Sequence, residues 1–185
     1  ITVLEQAIEL EDRLGGPNLV LRLASLLHDI GKPKTRAFIE GGGVSFHHHE
    51  VVGARLAKKR LQALRFDNDT IDAVELLTTL HLRFHGYGEG EWTDSAVRRY
   101  VRDAGEFITH LHVLTRADCT TRNKSKAARL AATYDSLEAR IAVLMEQEEL
   151  SKIRPDLDGA QVMQILNVKP SREVGQAMDF LLELR

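Results

Sequence analysis

The sequence is short of the residues that staple, span or pair over a distance. One cysteine, Cys119, among 185 residues excludes an internal disulfide framework and fits a reducing cytoplasm. An excess of either charge is missing too. Against 27 Asp and Glu stand 25 Lys and Arg, a formal net charge of -2. That excludes a chain-wide basic face, so any surface for nucleic acid must be local. No apolar run approaches the roughly 18 residues that would cross a bilayer, and no membrane partner is expected. Repeats, low-complexity stretches and convincing strand patterns are also absent. The chain opens on Ile1-Thr2-Val3, neither a start methionine nor a signal peptide, and stops on Leu-Leu-Glu-Leu-Arg in a helical pattern. A piece of a longer protein is the expectation. With 43% hydrophobic residues there is enough apolar material for one domain and a small appendage.

What is present is helical period nearly everywhere, which predicts an all-α fold. Val3, Leu4, Ala7, Ile8, Glu11 and Leu14 give a first amphipathic helix, stopped by Gly15-Gly16-Pro17. Leu19 to Leu27 is almost wholly apolar and predicts a helix buried on most sides, ending at His28-Asp29 before Gly31 and Pro33. Residues 34 to 46, with Gly41-Gly42-Gly43, read as a mobile loop with room for a short hairpin. A helix from about His49 to Leu64 follows. Another is capped by Asn68, Asp69 or Thr70, with Ile71, Val74 and Leu77 inward. Thr93 or Asp94 caps the next, and Phe107, Leu111 and Leu114 define a sixth that runs to Asp118. Beyond Arg122 a long helix carries Ala127, Leu130, Tyr134, Leu137, Ile141 and Leu144, ended by Pro155. Asp158-Gly159 and Pro170-Ser171 open two short helices. A division into residues 1–122 and 123–185 follows from this change of texture.

The chemistry concentrates at helix ends. A carboxylate closing a buried apolar helix, as in His28-Asp29, is costly without a partner, and a divalent cation is one such partner. His81 continues the inward face of Ile71, Val74 and Leu77; Asp118 continues that of Phe107, Leu111 and Leu114. His49 opens a helix after His47 and His48. Imidazoles and carboxylates converging from separate helices suit a first-row transition metal, with magnesium open to a carboxylate-weighted site. Lys32, just past the helix end, is a candidate for neutralising phosphate charge. His85 and His48 rank second; His110 and His112 read as core-edge residues.

The segment Leu26-Leu27-His28-Asp29-Ile30-Gly31-Lys32-Pro33, with His49, His81 and Asp118 after it, resembles the HD superfamily of metal-dependent phosphohydrolases. Longer stretches resemble the HD part of bacterial tRNA nucleotidyltransferases, the CCA-adding enzymes and related poly(A) polymerases. These are Phe46 to Ala54, His81 to Tyr87, Thr115 to Asn123, and the tail from Leu157-Asp158-Gly159 through Val174-Gly175. Two features depart from that pattern. Residues 1 to 27 hold no counterpart of the first-helix histidine, and no segment reads as the nucleotidyltransferase head, which would be a partner elsewhere in a longer parent chain. Cyclic-dinucleotide phosphodiesterases of the HD type share His28-Asp29-Ile30-Gly31-Lys32, but the continuation Val51-Val52-Gly53-Ala54 differs from theirs.

The resemblance implies an HD helical bundle to about Arg122, followed by a long helix and a short helical segment. It implies a divalent ion (nickel, manganese, magnesium, iron or zinc) held by His28, Asp29, His49, His81 and Asp118. Asp29 and Lys32 would be catalytic, acting on a 2',3'-cyclic phosphate, a terminal phosphate or a nucleotide. A second expectation is a catalytically silent scaffold that positions tRNA through Arg98, Arg99, Arg102, Arg122, Lys124 and Lys126, a local basic run that also includes Arg116 and Arg129.

Overall fold

A computed structural model describes residues 1–87, 92–121, 123–152 and 157–183. The architecture is all-α, as the periodicity requires, with one small antiparallel hairpin. Two compact units divide the chain, residues 1–141 and 142–185. Among the described residues no helix is long and apolar enough to cross a membrane.

The first unit is built on α1 (Thr2–Glu9), α2 (Leu19–Leu27), α4 (His49–Ala63), α5 (Asn68–Leu80), α6 (Asp94–Ala104), α7 (Ile108–Ala117) and the first part of α8 (Lys124–Lys152). A single turn, α3 (Lys32–Thr35), precedes the hairpin of β1 (Ala37–Phe38) and β2 (Val44–Ser45), which falls where the glycine-rich loop allowed one. Asn18 caps α2 by accepting the Leu21 N–H at 2.9 Å. Glu11, buried in the turn after α1, is fully satisfied: it accepts the Asn18 N–H and two hydrogen bonds from the Arg22 guanidinium. A buried carboxylate held this way is stable in place rather than a liability.

Two expectations are corrected. The helix α2 is buried on one face, not on most sides: Leu21, Ala24 and Ser25 are enclosed, while Leu19 is 56% and Leu26 55% exposed. The buried face, continued by His28, packs toward α1, α5 and α7, and the opposite face of this short helix meets solvent. The cap of α5 is Asp67, whose carboxylate accepts both the N–H and the hydroxyl of Thr70 at 2.8 Å, so the capping residue lies one position before the candidates.

The compact unit extends through Ile141, past the division drawn at Arg122, because α8 is tied into the bundle by several contacts. Tyr134 and Leu137 are buried. The Tyr134 hydroxyl donates to the Thr115 carbonyl at 2.7 Å. Carbonyls in the last turn of a helix have no partner within it; this one is satisfied from α8, next to the Asp118 turn. Glu138 accepts from Arg13 and Arg116, and the buried His112, stacked on Tyr100, faces Glu138 with its Nδ1 at 3.5 Å.

The second unit contains α9 (Gly159–Leu166), α10 (Arg172–Glu183) and the last turns of α8, with α9 packed on α10. Asp158 and Gln161 form a reciprocal capping box at the start of α9, and Asn167 ends it in the left-handed conformation.

Candidate metal centre

Four helix termini converge in the first unit. His28 stands at the C-terminus of α2, His49 at the start of α4, His81 at the C-terminus of α5 and Asp118 at the C-terminus of α7. Each lies at the end of an apolar face, so packing the faces together brings the ends together. The approach of α4 depends on Gly31, which packs against Gly53. A Cβ on Gly31 would lie 2.2 Å from the His49 carbonyl oxygen and 2.7 Å from the Gly53 nitrogen, so only glycine fits. That backbone contact holds His49 beside Asp29.

The three histidines share one arrangement. Each Nδ1 faces the backbone carbonyl three residues earlier: His28 to Ser25 at 2.9 Å, His49 to Phe46 at 2.8 Å, His81 to Thr78 at 2.6 Å. A carbonyl only accepts, so Nδ1 carries the proton and, in the neutral ring, Nε2 is left with a free lone pair. All three Nε2 atoms are buried without a hydrogen-bond partner among the described residues. Orphaned buried nitrogens are costly unless something outside the chain meets them.

The carboxylates complete the group. The His28 Nε2 lies 3.3 Å from Asp118 and 3.4 Å from Asp29, and the His49 Nε2 lies 3.2 Å from the other Asp29 oxygen. These are ion-pair distances without hydrogen-bond alignment. The His81 ring sits edge-on to His28 and His49, with centroids 5.2 and 5.3 Å away. Asp29, His49 and His81 each offer a ligand atom within 4.8 Å of the others, a cluster that could hold a metal ion. The donor set fits one: three imidazole lone pairs fixed by second hydrogen bonds, with two carboxylates, is the composition of transition-metal centres.

Without an ion, a proton takes the place of the cation. Burial opposes charge on His28, but the Asp118 and Asp29 carboxylates outweigh it and raise its pKa to about 9. Burial would raise the pKa of Asp29; His28 and Lys32 hold it well below the usual carboxylate range instead. His81 is pushed down to about 4 by burial, against the pull of the Thr78 carbonyl, and is neutral at pH 7. A prediction for the metal-free protein follows. The His28 pKa lies above its ordinary 6.5, so its contribution is fully present below about pH 6.5 and is lost as pH rises through about 9. Melting in EDTA is expected to show stability falling across that window, by up to about 3 kcal/mol. A flat profile from pH 6.5 to 9 would contradict the arrangement.

The other sequence candidates fall in different places. Lys32 donates to Asp29 at 2.6 Å, so its charge is at the centre but already shared. His48 does not join: it takes a left-handed conformation before α4, and its ring is 84% exposed, near Glu50. The side chain of His85 lies outside the described residues, as does Arg122. Arg98, Arg99 and Arg102 are exposed on α6, and Lys124 and Lys126 are exposed in the first turn of α8.

Comparison with known proteins identifies relatives of the chain. A family model described as HD domain matches residues 1–147. An A-adding tRNA nucleotidyltransferase of Deinococcus radiodurans is 32% identical over 171 residues, 91% of this chain and 38% of that protein. A CC-adding tRNA nucleotidyltransferase of Thermus thermophilus is 35% identical over 170 residues, 89% of this chain and 36% of that protein. The chain thus spans a little over a third of the length of the curated relatives it matches.

Proposed function

The chain belongs to the HD domain family, and on that premise we propose that it is a metal-dependent phosphohydrolase module within a tRNA nucleotidyltransferase-like parent, either CCA-adding or poly(A) polymerase-like. One observation carries the reading: three buried Nε2 lone pairs and two carboxylates meet, and nothing else among the described residues satisfies the nitrogens. His28, Asp29, His49, His81 and Asp118 would hold a divalent ion, and the three imidazoles favour a first-row transition metal over magnesium. When bound, such an ion supplies Lewis acidity and a more acidic water at neutral pH.

The chain's own residues prepare the rest. The Ser25, Phe46 and Thr78 carbonyls lock the three rings against rotation. Lys32 holds one oxygen of Asp29, keeping it ionised and aimed, and leaves two further N–H donors for a phosphoryl oxygen. The substrate class is a phosphoester such as a 2',3'-cyclic phosphate or a nucleotide. Nucleotide addition is what the relatives are named for; the parent would supply that head.

Turnover of 2',3'-cyclic AMP and p-nitrophenyl phosphate by the manganese- or nickel-loaded protein tests this. Measurable hydrolysis is expected, with a drop of more than about 100-fold in Asp118→Asn, beyond what losing an outer-shell partner costs. Full metal loading with neither substrate turned over would overturn catalysis. It would favour the second reading, a silent scaffold for tRNA, which has its own support in the exposed Arg98, Arg99 and Arg102 on α6. Binding on that account must weaken steeply with salt.

A further inference from the structure

Beside Asp118 the first unit opens into a cavity of ≈ 650 Å³, between the α7–α8 connection and the first turns of α8. We propose that this cleft receives the substrate of the Asp29–Asp118 centre and that the substrate is a nucleotide-sized polyanion. One phosphoester would sit at the Asp118 rim and a second anionic group on Lys126 and Arg129. The proposal rests on the metal-centre reading and adds to it the cleft that holds the substrate and the residues that bind its second anionic group.

Size is the first argument. Sites for drug-sized ligands run to about 300–1,000 Å³, and this cavity falls inside that range. A simple phosphate monoester would occupy one corner of it.

Charge is the second. The lining holds one carboxylate, Asp118, and two cations, Lys126 and Arg129. Nearby Arg116 is already committed, donating to Asp135 at 2.6 Å and Glu138 at 3.0 Å with its guanidinium over the Tyr134 ring. Neither Lys126 nor Arg129 has an ion-pair partner among the described residues. A divalent cation at the centre would offset the Asp29 and Asp118 carboxylates and leave Lys126 and Arg129 as the cleft's net positive charge, which suits an anionic ligand that reaches both ends.

The third argument is which polar groups remain available. The Tyr134 hydroxyl is used on the Thr115 carbonyl, the Thr115 hydroxyl on Leu111 and His112 carbonyls, and the Thr133 hydroxyl on the Arg129 carbonyl. The wall they form is therefore set, with Phe84 and Tyr134 stacked at 3.8 Å as its apolar part. Thr120, in the same lining as Lys126 and Arg129, keeps a hydroxyl for the ligand. A fixed wall with a few free donors is how pockets orient a polar ligand.

The same chemistry could come from a free nucleotide or from the phosphorylated 3' end of an RNA, and the probes separate these. Equilibrium binding is measured for ADP, a 3'-phosphorylated ribodinucleotide, adenosine and inorganic phosphate, using the full chain with manganese and again in EDTA. ADP or the dinucleotide should bind more tightly than adenosine or phosphate; the tighter of the two names the source. Lys126→Glu/Arg129→Glu should weaken that binding roughly 10- to 100-fold, with manganese affinity and Tm unchanged. Both side chains are exposed, and the milder Lys126→Gln/Arg129→Gln serves if the reversal lowers Tm. Where turnover is measurable, KM should rise and kcat hold. Equal nucleotide affinity in wild type and variant, or phosphate binding as tightly as ADP, would overturn the cleft assignment. Loss of manganese binding in the wild type, with nucleotide binding still dependent on the two cations, would instead overturn the metal centre and keep the cleft.

Discussion

Replacing Asp29 with asparagine is expected to lower manganese affinity by more than about 100-fold, beyond the loss that follows removal of an outer-shell partner. Asparagine keeps the shape but loses the charge and turns one oxygen into a donor facing the wrong groups. Asp29 is the hub of the centre: one oxygen accepts from Lys32 at 2.6 Å and faces His28 at 3.4 Å, and the other faces His49 at 3.2 Å. The substitution therefore has a second signature that needs no metal. His28 owes its pKa of about 9 to Asp118 and Asp29 acting against burial. With one carboxylate gone, burial gains weight and the pKa must fall, which imidazole NMR in EDTA reads directly. The alkaline loss of stability should then begin at lower pH than in the wild type. Asp29 is only half-buried and its replacement is nearly isosteric, so unfolding at neutral pH should change little beside the loss of metal affinity. Unaltered manganese affinity would remove Asp29 from the centre.

How much of this could be read in the sequence follows from where each signal resides. The candidate ligands are legible because they stand at the ends of apolar stripes: Ile71, Val74, Leu77 and His81 share a face by spacing alone, and all four are buried. The start of α6 at Thr93 or Asp94 and that of α9 at Asp158-Gly159 are legible for the same local reason, and the caps are Thr93 and Asp158. What could not be read is what depends on two segments meeting. Gly31 reads as a helix stop, yet its backbone sits at φ −77°, a conformation open to any residue. Its constraint is α4, which period and propensity do not reveal. The tie of Tyr134 to the Thr115 carbonyl is likewise invisible in either helix, so the change of composition near Arg122 does not reveal that the first part of α8 belongs to the bundle. In the run of three histidines, His49 ranks above His48 only because it opens the helix. Only the left-handed turn at His48 decides which ring goes in. Lys126 stood out as one of many cations, and nothing in the sequence showed that it and Arg129 line the cavity that also holds Asp118.

The contact of the two glycines yields the other large effect, and a comparison between them isolates its cause. Gly31→Ala would place a methyl group 2.2 Å from the His49 carbonyl oxygen, 2.7 Å from the Gly53 nitrogen and 3.0 Å from the Gly53 Cα. All three are backbone atoms of α4, so relief requires the helix itself to move. Overpacking of this kind costs about 1–3 kcal/mol and more where nothing can yield. We expect about 3 kcal/mol or more here, a fall in Tm of roughly 6–12 °C for a chain of this size. Gly53→Ala is the control on the opposite wall. Its methyl would meet the Gly31 nitrogen at 3.3 Å, the His28 carbonyl oxygen at 3.4 Å and a Thr78 methyl at 3.4 Å, contacts that small shifts relieve. Alanine within a helix also regains up to about 1 kcal/mol over glycine, so Gly53→Ala should stay within about 1 kcal/mol of the wild type. The asymmetry extends to the centre. Pushing α4 away carries the His49 ring from Asp29, so Gly31→Ala should lose manganese affinity below its melting temperature, where the chain is still folded. Gly53→Ala should keep it. Equal melting temperatures for the two variants would mean that α4 does not press on the turn after His28-Asp29, and the geometry that brings His49 into the centre would need another cause.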